Sequence, residues 1–193
     1  MSNENARSLD TMGASAVLGG GSGEKVRGGG VYTLQCFDQD GNLKWEAQSN
    51  NLVVNQGLQD MNAKYFLGST YTAAWYIGLY GAAATNNPVA GDTAASHPGW
   101  TEVTAYSEAT RPQATFATPT TADPSVITNA ASPAQFSISS GVTVGGAFLI
   151  SNNVKGGTSG VLFSAADFQS PGDRAVVSGD IIRCVYQFSL DAA

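Results

Sequence analysis

Between residues 99 and 190 the chain is a succession of short runs of alternating apolar residues, cut by Gly, Pro, Ser and Asn turns. Strand-length runs with this period-two pattern, broken by residues that favour turns, point to antiparallel sheets packed face to face. The runs lie near 101–106, 113–118, 134–139, 142–151, 160–164, 174–178 and 181–190. The last is the clearest: Ile182, Cys184, Tyr186, Phe188 and Leu190 fall on one side, and Arg183, Gln187 and Ser189 on the other. It is predicted to be a central or closing strand with one face in the core.

Upstream, VYTLQCF at 31–37 puts Tyr32, Leu34 and Cys36 on one face, and folded structure is expected to begin at Val31. DQDGNLKWE then reads as a hairpin, with Asp40-Gly41-Asn42 suited to the left-handed conformations of a tight turn. From 55 to 67 the period changes: Leu58, Met61, Tyr65 and Phe66 recur at helical spacing behind Asn55, which is the expected N-cap of one short helix. AWYIGLYG at 74–81 follows, then a long polar loop over 82–99.

A chain of 193 residues is long enough for one well-filled core. The expected fold is therefore all-β with one short helix: a β-sandwich or jelly-roll-like domain over 31–193, preceded by an extended N-terminal arm over 1–30. The arm combines glycine clusters with one apolar patch at 14–18, too small to form a core. It reads either as a disordered tail or as a segment that orders on a partner.

Charged residues are only 12% of the chain, so its solvation rests largely on hydroxyls and amides. Nine Lys and Arg, scattered apart from Lys25 and Arg27, against fifteen Asp and Glu give a net charge of −6. That balance opposes nucleic-acid binding, which requires several phosphates to be neutralised together. No apolar run approaches membrane-helix length and MSNENARSLD has no signal-peptide pattern, so no membrane partner and assembly in a cytoplasm are expected. Cys36 and Cys184 each sit among apolar residues of a predicted strand. They are either a disulfide or thiol switch, or two small buried hydrophobes of a reducing compartment, which favours the second.

Catalytic chemistry finds little to work with. The sole histidine, His97, lies in a turn-like loop, and Ser96, His97 and Glu102 or Asp92 lack the spacing and nucleophile elbow of a triad. One histidine and two distant cysteines supply no zinc set, and the Asp38 loop has Ser49 where a calcium loop needs a bidentate Glu. The glycine pairs fit no phosphate-binding motif, so no cofactor and no metal are expected. Asp92, Glu102, Glu108, Asp123, Asp167, Asp173 and Asp180 are candidates for a glycosidase carboxylate pair, but no spacing selects two of them. Trp75, Tyr76 and Trp100 are either core filling or a platform for glycans or a protein partner.

GDTAASHPGWTEVTAYSEATRPQATF at 91–116, NLVVNQGL at 51–58, AWYIGLYG at 74–81 and VGGAFLISNNVKGGTSGVLFSAADF at 144–168 together resemble a group of small structural proteins of tailed-bacteriophage virions. The resemblance implies a non-enzymatic particle component, with members that decorate heads and others that serve as tail fibres. A compact β-domain with a tethering arm suits a capsid decoration or cement protein, located on the capsid surface and bound to the major capsid protein. Leu9, Val17, Leu18, Lys25 and Arg27 are the expected capsid-contact residues of the arm, and self-association as a dimer or trimer at symmetry axes is expected. The alternative is a tail or fibre module that contacts host glycans through Trp75, Tyr76 and Trp100.

Overall fold

The computed structural model describes residues 26–71, 74–81, 88–168 and 172–192. Among them nearly half of the residues lie in strands, all paired antiparallel, with one helix, α1 (Asn55–Phe66). The first sheet is built from β1 (Val26–Phe37), β2 (Leu43–Asn50), β6 (Ser125–Thr128), β7 (Ala134–Ser137) and β12 (Ile181–Ala192). Its order is β2-β1-β12-β6, and β7 shares the β6 side of β12. The second has the order β3-β10-β9-β4-β5, from β3 (Leu52–Val53), β4 (Tyr76–Gly81), β5 (Thr101–Val103), β9 (Gly146–Ile150) and β10 (Leu162–Asp167). A two-stranded ribbon pairs β8 (Val142–Val144) with β11 (Arg174–Val176).

β12 is the spine. Its alternation puts Ile182, Cys184 and Tyr186 in the core, while its two edges carry β1 along its whole length and β6 and β7 in succession. On β1, Tyr32, Leu34 and Cys36 are fully buried, as the alternation requires. The inner faces of the two sheets meet there: Tyr32 Oη lies 2.9 Å from Ser164 Oγ, and Phe163 packs edge-on against Phe188. Each large apolar side chain buried in this layer contributes roughly 1.5–3 kcal/mol.

The second sheet is buried on both faces, so β4 and β9 read as continuous apolar runs instead of alternating ones. Its outer face carries a second cluster in which Tyr80, Phe148, Ile150, Leu162 and Ala165 are covered by Trp100 and Ala94 from the loop before β5.

Several expectations shift. The first strand starts at Val26, not Val31: Gly28, Gly29 and Gly30 pair with Leu190, Ser189 and Phe188. Gly30 is needed there because a Cβ would come within 2.8 Å of the Gln187 carbonyl and 2.9 Å of Tyr186 Oη. Its N–H donates to Asn51 Oδ1, whose amide donates to Tyr186 Oη. The predicted run at 142–151 divides at Gly145 into strands of two different sheets. The run at 113–118 forms no strand, only a single bridge from Gln113 to Tyr76. In the β1–β2 turn Gly41 alone takes a positive φ, while Asp38 accepts from the Asp40 and Asn42 amides.

The helix forms where expected, but Val54, not Asn55, is its N-cap, and the Asn55 N–H donates to the Ala90 carbonyl. Its packing face also differs from the apolar stripe. Gly57 lies against the backbone of Phe163, so close that a Cβ would sit 2.4 Å from the carbonyl oxygen. Gln56 Oε1 accepts from the Leu162 and Ala94 N–H groups. Met61 packs on the core, while Leu58, Tyr65 and Phe66 are left in water.

Candidate functional site

Polar chemistry concentrates where the loops after residue 88 meet the loop at 152–157. Asp92 is buried, and one of its carboxylate oxygens accepts from Trp100 Nε1 at 2.9 Å and from the Val89 N–H at 3.0 Å. Trp100 is 3% exposed, with its ring against Tyr80 and Phe148 and the His97 imidazole stacked at 3.9 Å. It is therefore core, not part of an exposed platform. Trp75, edge-on to Phe163, and Tyr76, against the second cluster, are half-buried, and the three do not form a common aromatic surface.

Ten residues on, Glu102 and Arg111 form a buried bidentate pair, with Nε and Nη2 donating to the two carboxylate oxygens at 2.8 and 2.7 Å. The rest of the guanidinium donates to the carbonyls of Asn152 and Gly157, and the Gly156 N–H donates back to Glu102. A buried ion pair is stable when its remaining donors and acceptors are satisfied in this way. Lys155 reaches in the opposite direction, donating to the Tyr106 and Glu108 carbonyls at 2.8 Å with its ammonium over the Tyr106 ring. Two cations thus lock the two loops to each other.

Three other acidic residues also hold backbone or cations. Glu108 accepts from the Ser137 N–H, Asp123 from the Ala192 N–H, and Asp180 from the Val177 N–H and Lys44. That pairing raises Lys44 above the ordinary lysine range. Burial first, then the Asp173 charge, raises the Asp167 carboxyl, and the Tyr80 hydroxyl opposes the rise. Among the described residues no three His, Cys, Asp or Glu side chains are placed to hold a metal ion. Cys36 and Cys184 are free, buried thiols. Burial lifts Cys36 to about 11 and Cys184 higher still.

An open groove of about 410 Å³ runs between β5 and β8, lined in part by Gly81, Thr101, Val103, Val142 and Thr143. Elsewhere the most distinctive surface is apolar. Leu58 is 50% exposed, and Tyr65, Phe66, Leu67 and Tyr71, at the end of α1 and just beyond it, are 74–83% exposed. The spacing of Leu58 and Tyr65 was legible as an apolar stripe; that it faces water was not.

Of the expected arm contacts, Leu9, Val17, Leu18 and Lys25 lie outside the described residues. Arg27 is not in an arm: it stands in β1 opposite Asp191, exposed. No helix among the described residues is long and apolar enough to cross a membrane. Comparison with family models, curated proteins and solved structures gives no match to this chain.

Proposed function

We propose that this chain is a structural component of a tailed-bacteriophage virion, a decoration or cement protein that binds the major capsid protein and stabilises the head. The observation that carries this reading is a contrast within the molecule. Its buried carboxylates and cations are engaged in holding loops, while large apolar side chains of α1 face water. Exposed apolar surface rimmed by polar residues marks protein contact. The phage-like segments at 51–58, 74–81, 91–116 and 144–168 supply the kind of assembly, and the glycine-rich residues before Val26 supply a tether that reaches a neighbouring subunit.

The β1 boundary fixes the test. Deletion of residues 2–25 leaves the Val26–Ala192 pairing intact, whereas a longer cut removes part of β1. The full chain is expected to bind particles assembled without it, and the truncated chain is expected to fold but not bind. Undiminished occupancy by the truncated chain would remove the tether's role. A full chain that ignores capsids, or that electron microscopy locates on the tail, would overturn the reading itself.

A further inference from the structure

We infer that the apolar end of α1 is a self-association surface, on which a second copy of this chain docks its own Leu58, Tyr65, Phe66, Leu67 and Tyr71 across a two-fold axis. Contiguity is the first argument. Leu58 and Tyr65 are seven positions apart on the helix and so share a flank. The Tyr65 and Phe66 rings are in contact at 4.9 Å, edge to face. Lys64 donates to the Thr70 carbonyl and the Ser69 N–H donates to Ala63, so the chain turns back beside the last helical turn and brings Tyr71 to the same end.

Size is the second. Aromatic side chains bury about 150–250 Å² each, so three of them with two leucines, at the exposures found, offer roughly 600 Å² of apolar surface. That is the upper end of the largest patch on an ordinary monomer, about 300–600 Å². With a polar rim it approaches the ~800 Å² per partner of a specific interface.

Charge selects the occupant. A two-fold contact sets a patch against itself, so a patch with net charge opposes its own pairing. The chain carries −6 overall, but the charged residues of α1 are Asp60 and Lys64, one of each sign, paired along the helix at 3.6 Å. The charges of α1 therefore cancel, and the surface carries no net charge that would oppose its pairing with a second copy.

This proposal rests on the same α1 surface as the virion reading, but it is tested on the isolated full chain with no particles present. Sedimentation velocity over a wide concentration series is expected to show a reversible monomer–dimer equilibrium, with Kd on the order of 1–100 µM for an interface of this size. Tyr65→Glu with Phe66→Glu is expected to weaken it at least ~10-fold, since central aromatic residues dominate such contacts. Leu67→Glu, just beyond the helix, should weaken it as well and guards against a helix-folding artefact; circular dichroism and melting should match wild type for both. A wild-type chain that stays monomeric throughout the series, or a dimer indifferent to both variants, would overturn the proposal. Particle binding by the full chain, measured separately, tells a failure of this proposal from a failure of the virion reading.

Discussion

The loop face around Arg111 and the end of α1 invert the usual arrangement in opposite senses. At the first, charges are buried: Arg111 and Glu102 are withdrawn from water, and their remaining polar atoms meet backbone groups of the 152–157 loop. At the second, apolar side chains are exposed, and the helix holds to the body through Gly57, Gln56 and Met61. A buried charge network contributes only inside the fold, whereas exposed apolar surface gains nothing until something covers it. The first region is thus read as architecture and the second as contact.

The sharpest way to break that contrast is Arg111→Met. It leaves Glu102 buried without its counter-charge and is expected to cost about 3–5 kcal/mol, measurable by urea denaturation. If it unfolds the chain, Glu102→Gln with Arg111→Met restores neutrality and should recover part of the loss. An Arg111→Met protein as stable as wild type would show that the network is decorative. Next comes Gly57→Ala. Despite the better helix propensity of alanine, its methyl meets the Phe163 backbone, and a loss of about 1–3 kcal/mol is expected from the same denaturation curves. A gain would mean that α1 sits farther from β10.

A smaller effect is expected with pH. Because the folded state raises Cys36 from 9.0 to about 11, its contribution is fully present below pH 9 and is lost as pH rises toward 11. Lys44, raised by Asp180, has the same sign at higher pH. Melting temperature should fall across that window, and Cys36→Ala should flatten the fall. In the native state neither thiol should react with a thiol reagent at neutral pH. Smallest of all, Tyr65→Ser or Phe66→Ser should change the stability of dilute monomer by no more than about 0.5 kcal/mol.

Legibility in the sequence follows the range of the interactions. β12, the core face of β1 and the hairpin between β1 and β2 were readable because alternation and turn chemistry are local. β3 spans only two residues and left no pattern. Gly28, Gly29 and Gly30 read as a linker because glycine is a poor strand former, yet at Gly30 close approach to Gln187 and Tyr186 demands it. Period located α1 but not its buried side, which a close glycine contact set against the apolar stripe. Trp100 could be named and its role left open; burial under the 88–100 loop makes it core. The Arg111 network had no sequence signal, since its partners lie 9 positions away in Glu102 and 41 and 46 away in Asn152 and Gly157.

The most direct test of the division between architecture and contact is amide hydrogen exchange of the full chain at low and high protein concentration. The account predicts that peptides covering residues 55–71 gain protection as concentration rises, while those covering 101–111 and 152–157 are equally protected at both. Protection that changes in the loops and stays constant over α1 would contradict it.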